Sequence, residues 1–391
     1  MRTVVIFAEH FKLLTISSPM IIMLLIVLLL FVIYTALLIY YWRSWKAIPV
    51  FEPLGDGGGI SISVIIPARN EEAQIGALLQ ALETQTYPSA LYEVVVVDDH
   101  SSDATATIAS QYKNVKVLSL KENGINSYKK KAIEAGIAAS TGDLIVTTDA
   151  DCIPANEWLA TIASFKKATG AVFIASPVKF SGNSSILQVF QVMDFMVLQG
   201  ITGAAVSRRQ LSMCNGANLA YDRKVFIEAG GFKGIDHIAS GDDMLLMHKI
   251  ARLYPSKIFY LKSTAAIVET KPMQTWKAFL HQRIRWASKA THYTDARILP
   301  VLLLVYLLNL SLPVLLIAGC WDTRFFLYAL AFAGIKTLIE LPLFITLAGF
   351  FNKQWTTTLF PLFQPLHIAY TLIAGFLGQS GKYEWKGRKV K

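Results

Sequence analysis

The sequence predicts an α/β domain with a mostly parallel sheet, combined with helical transmembrane segments. The chain of 391 residues is 53% hydrophobic and only 16% charged, which is too apolar for an ordinary soluble enzyme. Between residues 46 and 297 the composition changes, and apolar runs alternate with helical patterns. That alternation is typical of parallel strands covered by helices on both faces of a sheet.

The first membrane segment is predicted at about residues 20–42, in an N-terminal region of residues 1–45. Residues 20–41 carry no charge and are long enough to cross a hydrocarbon core of about 30 Å. Tyr40, Trp42 and Arg43 at its end suit the membrane interface, so we expect a retained anchor, not a cleaved signal peptide. Residues 298–321 and 354–381 are also uncharged, which predicts a C-terminal membrane region of two to three helices at residues 298–381.

The segment between these two, residues 325–351, is interrupted by Lys336 and Glu340. Their spacing of four residues puts both on one helical face. They either form a salt bridge inside a helix bundle or mark a polar spot along an acceptor path, and we favour the salt bridge.

The charges flanking the membrane segments predict the orientation of the chain. Across the first segment the charges balance, with Arg2 and Lys12 on one side and Arg43 and Lys46 on the other. The cations before the second segment favour a cytoplasmic central domain in a multi-pass protein of the bacterial inner membrane; they are Arg283, Arg285, Lys289 and Arg297. Three C-terminal crossings would put the basic tail, residues 382–391, outside. The segment 325–351 therefore either crosses the membrane or re-enters on the same side.

The central domain, residues 46–297, follows a glycine-rich linker at residues 54–59. We predict strands at residues 62–67, 93–97, 115–120 and 144–148, and helices at residues 71–84, from about residue 103, and at 129–139. Ligands of such sheets bind beyond the carboxyl ends of the strands. Polar clusters follow three of the four predicted strands.

Three cysteines, Cys152, Cys214 and Cys320, lie far apart in the sequence. An odd number without metal-ligand spacing suits a reducing compartment and argues against a disulfide framework or a zinc site.

Asp149 and Asp151 end the apolar run LIVTT. Two carboxylates at the end of a strand can hold Mg²⁺ or Mn²⁺, which would bridge the oxygens of a diphosphate. The alternative is helix capping, because Pro154 follows and proline favours the first turn of a helix. The position after a buried strand favours metal.

Asp98 and Asp99 follow the second predicted strand. One of the two could accept the imide N–H of a uracil or a ribose hydroxyl, while Ser102 or Asp103 caps the next helix. We expect a functional role for one of the aspartates, not both.

Asp243 precedes a helical run at residues 244–251. Ser240 and Asp243 have the spacing of a capping box, which is a structural explanation. The functional one is that Asp243 acts as a base and takes a proton from an acceptor hydroxyl. These residues alone leave both open.

Gln282, Arg285 and Trp286 share one face of a predicted interfacial helix at about residues 274–290, and Arg283 is turned away from it. The helix either directs its cations to lipid phosphates, or it uses Gln282 and Arg285 to hold a diphosphate while Trp286 stacks on a sugar.

Seven short stretches follow one another along the chain: PARNEE at residues 67–72, VVDDHSSD at 96–103, Lys129 before STGD, DAD at 149–151, NGANLAY at 215–221, GDD at 241–243 and QRIRW at 282–286. In this order they resemble the membrane branch of the family 2 glycosyltransferases, which have a GT-A domain. This branch contains cellulose, chitin, hyaluronan and poly-N-acetylglucosamine synthases and ceramide glucosyltransferases. Each stretch is weak alone, but the ordered set is specific and covers residues 62–286.

The resemblance implies donor contacts from Glu71, from Asp98 or Asp99, and from Lys129 and Asp149. It also implies a metal site at Asp149 and Asp151, with Asp151 as the direct ligand.

The same resemblance makes Asp243 the general base. It assigns Gln282, Arg285 and Trp286 to the Q-x-x-R-W motif, which flanks the diphosphate and the acceptor entrance. Asp242 stands where the family often has glutamate, which puts its own role in doubt.

The reaction implied is an inverting transfer from a nucleotide-sugar, expected to be a UDP-sugar, to a hydroxyl of a lipid, lipid-linked or growing polysaccharide acceptor. A processive polysaccharide synthase is the alternative, although few membrane segments leave little room for a polymer channel. We expect membrane lipids as partners, and no nucleic acid; a partner subunit or a second copy stays open.

Two other protein classes are disfavoured. A metal-dependent nucleotidyltransferase would need a glycine-rich phosphate loop, which PARNEE lacks. An inactive scaffold would be expected to have lost Asp243 or the DAD stretch.

Overall fold

The computed structural model describes residues 18–53, 58–122, 127–211, 213–238, 241–288, 297–378, 383–385 and 388–390. The predicted α/β class with a mostly parallel sheet and long apolar helices is confirmed. Most of the predicted linker, residues 54–57, and Ser240 of the predicted capping box lie outside the described residues. The basic tail contributes two short antiparallel strands, Tyr383–Trp385 and Arg388–Val390.

The strands of the central domain are β1 (Ile62–Ala68), β2 (Tyr92–Asp98), β3 (Val115–Ser119), β4 (Leu144–Thr147), β5 (Cys152–Pro154), β6 (Phe173–Ala175), β7 (Val178–Phe180), β8 (Leu219–Asp222), β9 (Ile258–Tyr260) and β10 (Val268–Thr270). Seven of them form one sheet in the order β3-β2-β1-β4-β8-β6-β9. In it β8 runs antiparallel to both its neighbours, and the other pairs are parallel. A second sheet has the order β5-β10-β7.

The helices of this domain are α2 (Ile75–Glu83), α3 (Thr105–Ala109), α4 (Tyr128–Ala138), α5 (Trp158–Thr169), α6 (Ile186–Ser207), α7 (Arg223–Glu228), α8 (Met244–Leu253) and α9 (Trp276–Ser288). They cover both faces of the large sheet. Ile65 and Val95 belong to one apolar layer, and Val64 and Val94 to the other. Successive side chains of a strand point to opposite faces, so burial of both faces explains why the strands are apolar throughout.

The predicted helix at residues 71–84 begins later than expected, at Ile75. Asn70 has a left-handed φ of 51°, and the Glu71 N–H donates to Thr105 Oγ1 at 2.8 Å. The Glu72 N–H likewise donates to Asp103 Oδ2 at 3.1 Å. These contacts bind the PARNEE stretch to the loop after β2. The helix therefore begins only after the residues that make them.

Four long apolar helices lie outside the central domain: α1 (Ser18–Ala47), α10 (Ile298–Ala318), α11 (Arg324–Phe350) and α12 (Phe360–Gly378). Each is long and apolar enough to cross a membrane, and each leaves much of its apolar surface exposed. The segment whose path was open, residues 325–351, is one continuous helix over nearly its whole length. Its geometry suits a crossing better than a re-entrant turn.

The anchor helix α1 extends past the predicted end at about residue 42, as far as Ala47. Trp45 is 1% exposed and packs against Tyr260 and Phe350, with ring centroids 5.9 and 5.2 Å away. Lys262 Nζ donates to the carbonyl oxygens of Trp45 and Ile48 at 3.0 and 3.1 Å, which satisfies the end of the helix. The anchor is therefore docked onto the central domain.

The salt bridge favoured for Lys336 and Glu340 is confirmed. Their Nζ and Oε1 atoms lie 2.6 Å apart, and the Lys336 side chain is fully buried. Lys336 Nζ also donates to Gln364 Oε1 at 2.7 Å, and Tyr34 OH donates to Glu340. The two charges are thus neutralised between α1, α11 and α12.

A fifth helix of sufficient length and hydropathy, α6, is buried along most of its length inside the protein. It begins where Ser185 Oγ accepts the Gln188 N–H at 3.2 Å. Its composition alone would also suit a membrane helix, and its burial inside the protein distinguishes the two.

Candidate active site

The carboxyl ends of β1, β2 and β4 meet at one edge of the large sheet. Ala68 at the end of β1 is in register with Asp98 at the end of β2, and the Asp99 N–H donates to Ala68 O at 2.8 Å. On the other side of β1, the Thr148 N–H donates to Ile65 O at 3.3 Å, just before Asp149. The three polar clusters predicted to follow these strands therefore lie side by side.

Asp98 and Asp99 are both buried but are held differently. Asp99 Oδ1 lies 2.9 Å from His100 Nδ1 and 3.9 Å from Arg69 Nη1. Asp98 Oδ2 accepts the Ser101 N–H at 3.3 Å, while Asp98 Oδ1 has no hydrogen-bond partner among the described residues. A buried acceptor without a partner is costly, so Asp98 has the oxygen suited to a ligand N–H.

The loops after β1 and β2 are fastened to each other. Arg69 Nη1 donates to the carbonyl oxygens of Asp99 and His100 at 2.7 and 3.1 Å, and Asn70 Oδ1 accepts the Ser102 N–H at 2.9 Å. Asn70 and His100 both have left-handed backbones, with φ of 51° and 54°. Asn and His tolerate that conformation better than most residues, and the hydrogen bonds between the two loops hold it in place at this edge of the sheet.

Lys129, the second residue of α4, joins two parts of the site. Its Nζ atom lies 2.7 Å from Asp149 Oδ1 and 3.1 Å from Asp242 Oδ2. Burial alone would lower the pKa of Lys129, but the two carboxylates outweigh it and hold that pKa well above its usual range. Lys129 is therefore positively charged at neutral pH. Asp149 is the most exposed of the three side chains, at 36%, so a ligand can approach this cluster from its side.

Gly216, in the NGANLAY stretch, allows this cluster to form. A Cβ atom at this position would lie 3.0 Å from Asp242 Oδ2 and 3.2 Å from Lys129 Nζ. Thr147 Oγ1 donates to Gly216 O at 3.1 Å and so fixes the backbone against β4. Asn218 is fully buried and bonds to Trp158, Pro177 and Ala266. We therefore interpret Asn218 as a structural residue.

Asp243 is the N-cap of α8, and its Oδ1 atom accepts the Met244 N–H at 2.7 Å. Gly241 before it has a φ of 79°, a turn that favours glycine. Asp242 and Asp243 are adjacent, so the Lys129 contact holds the backbone from which Asp243 projects. The role of Asp242, open from the sequence, includes this ion pair.

The DAD stretch offers two carboxylates to a metal ion. Among the described residues there is no group of three His, Cys, Asp or Glu side chains that could hold one. Two carboxylates are nevertheless enough for Mg²⁺ or Mn²⁺ when diphosphate oxygens supply further ligands. Carboxylate oxygens are the donors that these ions prefer, so the residue types fit a metal ion. Lys129 Nζ, which lies 2.7 Å from Asp149 Oδ1, would compete with the ion for that oxygen. Burial, reinforced by Asp151, raises the pKa of the Cys152 thiol well above its usual range, which makes Cys152 a poor metal ligand at neutral pH.

The QRIRW stretch lies on α9. Gln282, Arg285 and Trp286 are partly buried, and Gln282 Oε1 has no hydrogen-bond partner among the described residues. Arg283 was predicted to turn away from this face, but its guanidinium lies over the Trp286 ring, 4.3 Å from the centroid. It is 3% exposed and therefore enters the protein interior. The interpretation of α9 as a helix that directs its cations to lipid phosphates is therefore wrong for Arg283.

A packed path connects α9 with the DAD stretch. Trp286 contacts Phe195 of α6 with ring centroids 5.9 Å apart, and Phe195 stacks on Phe180 of β7 at 4.2 Å. In the small sheet, β10 pairs with β7 on one side and with β5 on the other. Because β5 begins directly after Asp151, the small sheet sets the position of α9 relative to the carboxylates.

Comparisons with known proteins agree with this architecture. Residues 63–230 match the sequence model of glycosyl transferase family 2. The probable glycosyltransferase YdaM of Bacillus subtilis is 29% identical over 234 residues, 58% of this chain and 54% of the relative. Glycosyltransferase AglE of Haloferax volcanii is 32% identical over 187 residues, 47% and 59% of the two chains. The chain thus spans somewhat over half the length of these relatives.

Among solved structures, the mannosyltransferase PcManGT from Pyrobaculum calidifontis, determined with GDP-Man and Mn²⁺, has a TM-score of 0.54. It is 22% identical, and the match covers 90% of this chain and 99% of that one. At this identity the likeness concerns the fold. This likeness supports the GT-A fold, and residues 63–230 of the same domain are those that match the family 2 glycosyltransferase model.

Proposed function

We propose that the protein transfers one sugar, with inversion, from a UDP-sugar to a hydroxyl group of a lipid or lipid-linked acceptor at the membrane. The observation that carries the proposal is the cluster of Lys129, Asp149 and Asp242 at the carboxyl edge of the sheet, with Asp243 next to it. It combines a place for a diphosphate, a place for a cation and a candidate base within one site.

The nucleotide lies across the ends of β1 and β2 in this proposal. Asp98 Oδ1, buried and without a partner among the described residues, accepts the imide N–H of uracil. Glu71 contacts the same nucleoside, and Asp99 holds the loop through His100 and Arg69.

The sugar leaves its diphosphate in a single displacement. Asp243 takes the proton of the acceptor hydroxyl as that oxygen forms a bond to the anomeric carbon. The bond from this carbon to the diphosphate breaks, and UDP leaves with the electron pair. Gln282 and Arg285 hold the diphosphate, and Trp286 lies against the sugar or the acceptor. Asp149 and Asp151 would hold Mg²⁺ or Mn²⁺, which when bound neutralises charge on the leaving group.

Two observations favour a lipid acceptor over a growing polysaccharide. Lys336 and Glu340, the charges inside the helix bundle, are paired with each other and not directed along a channel. In addition, β-monoglucosyldiacylglycerol synthase of Synechocystis sp. is 27% identical over 278 residues, 64% of this chain and 53% of that relative. The four exposed apolar helices would keep the protein in the bilayer, where such an acceptor is found.

The test is a donor and acceptor screen with the purified full chain in lipid nanodiscs. UDP-glucose, UDP-galactose, UDP-N-acetylglucosamine and GDP-mannose are each offered with diacylglycerol or monoglucosyldiacylglycerol, both of which have hydroxyl groups as acceptors. Nucleotide release and product mass are read together. We expect UDP release matched by a lipid that has gained one sugar. A long polymer would contradict the lipid acceptor, and the absence of any transfer would contradict the function itself.

A further inference from the structure

The buried helix α6 carries one acidic residue in its middle, Asp194, whose side chain is 3% exposed. A carboxylate buried this deeply is unfavourable unless it is paired. The sequence gives it no role, and it lies outside the carboxylate cluster at the sheet edge. Its contacts therefore indicate what the charge is for.

Asp194 joins three helices. Its Oδ2 atom lies 2.7 Å from Arg283 Nη2 of α9, a charge contact whose direction is not that of a hydrogen bond. Its Oδ1 atom accepts a hydrogen bond from Tyr370 OH of α12 and lies 4.0 Å from His367 Nε2. The central domain, the QRIRW helix and a membrane helix thus meet at one carboxylate.

Arg283 carries this contact to Trp286. Its guanidinium lies over the Trp286 ring at 4.3 Å from the centroid, and also over Phe279 at 5.0 Å and Tyr370 at 5.9 Å. A guanidinium on an indole face is an attractive and oriented contact, especially away from water. Trp286 also packs on the ring of Phe195, the neighbour of Asp194 in α6. One turn of α6 thus contacts the indole directly through Phe195 and indirectly through Asp194 and Arg283.

We infer that Asp194 is a positioning residue, which fixes Trp286 through Arg283 and ties its position to membrane helix α12. This inference rests on the proposed function for its effect on catalysis. A displaced Trp286 misaligns the acceptor or the sugar, whereas the nucleotide contacts at β1 and β2 are left unchanged. Misplacement by about 1 Å can cost up to about 100-fold in rate.

The experiment compares Asp194→Asn and Arg283→Gln with the wild-type chain and with Thr202→Val. Asn keeps the size of Asp194 and an acceptor for Tyr370 OH but removes the charge. Thr202 is a matched control, because it is buried on the same helix and, within the described part of the chain, its hydroxyl donates to Leu198 O of its own helix. UDP affinity, kcat, KM for each substrate and melting temperature are measured for each variant.

We expect Asp194→Asn and Arg283→Gln to lower kcat by about 10- to 100-fold, with UDP affinity within about twofold of wild type. The double variant should lose no more activity than the more impaired of the two single variants, because both changes break the same connection. If Asp194→Asn lost no more activity than Thr202→Val, or if its loss of activity only followed its lower melting temperature, Asp194 would be a structural residue. That result would overturn the inference.

A spectroscopic measurement tests the geometry without any turnover. The emission of Trp286 is obtained by subtracting the spectrum of Trp286→Phe from that of its parent, in both the wild-type and the Asp194→Asn backgrounds. We expect this difference spectrum to shift to longer wavelength in Asp194→Asn. An unchanged spectrum would refute the inference even if transfer were observed, and a shifted spectrum in a chain without transferase activity would count against the proposed function alone.

Discussion

Lys129 Nζ lies 3.1 Å from Asp242 Oδ2 and thereby connects the start of α4 with the turn that precedes Asp243. The same ammonium lies 2.7 Å from Oδ1 of Asp149, which follows the end of β4. Without a cation between them, Asp149 and Asp242 would repel each other across a partly buried space. Lys129 therefore links the carboxylate proposed to hold the metal with the turn that precedes the proposed base.

Replacing Lys129 by Met should lower kcat/KM for the donor by about 100-fold, the usual cost of removing one electrostatic contact in an active site. Lys129→Arg should lose less, because the charge remains. Initial rates of UDP release measure both. If Lys129→Met bound UDP and turned over as the wild type does, the bridge would have no part in catalysis.

Asp243→Asn should lower kcat by about 10²- to 10⁴-fold, the range that general-base catalysis supplies. The fold should be unaffected, because the amide oxygen of Asn can still accept the Met244 N–H that Asp243 Oδ1 accepts at 2.7 Å. The check is a rate measurement paired with a melting curve. Full activity in this variant would exclude Asp243 as the base, and a large drop in melting temperature would mean that capping dominates.

Chelation of divalent ions with EDTA should abolish sugar transfer, and Mn²⁺ or Mg²⁺ should restore it. Loss of the stabilising charge on the leaving group is expected to cost about 100-fold or more. Asp151→Asn should raise the Mn²⁺ concentration needed for half-maximal rate. Glu52→Gln, at an exposed glutamate outside the site, is the control. Transfer that persists in EDTA would contradict a metal at the DAD stretch.

Structural features that depend on neighbouring residues in the sequence could be predicted, whereas those that depend on pairing between distant segments could not. The strands β1, β2 and β4 can be predicted from their continuous apolar runs, because a strand that is buried on both faces is apolar at nearly every position. The three-residue strands β5, β7 and β10 are too short to show a period, so the small sheet that positions α9 was not predicted.

The pairings within the site are likewise invisible in the sequence. The capping residues, the DAD stretch and the shared face of Gln282, Arg285 and Trp286 are local patterns, and spacing reveals them. The contact of Lys129 with Asp242, and that of Asp194 with Arg283, join segments far apart in the chain. Only tertiary structure selects which buried cation meets which carboxylate.

Glu93 should make the stability of the domain depend on acid. Its Oε1 atom accepts from Ser63 Oγ at 2.7 Å, from Thr141 Oγ1 at 2.9 Å and from the Thr141 and Gly142 N–H groups, at the edge of the sheet opposite the site. Partial burial raises the pKa of Glu93, but the hydrogen bonds from Thr141, Ser63 and Gly142 outweigh it and hold that pKa below its usual range. The folded state thus binds this proton less readily than the unfolded state.

The sign of the effect follows from proton linkage. A carboxyl group with a lowered pKa stabilises the fold at pH values above its unfolded pKa of about 4.3, and this contribution is lost as the pH falls through the lower folded value. Glu93→Gln should therefore reduce the free energy of unfolding by about 1–3 kcal/mol at pH 7, the usual cost of weakening hydrogen bonds to a charged group. The difference from wild type should shrink below about pH 4. Melting temperatures between pH 3 and pH 7 measure it, with Glu52→Gln as the exposed control. A difference that stayed constant over this range would mean that Glu93 acts through packing and not through its charge.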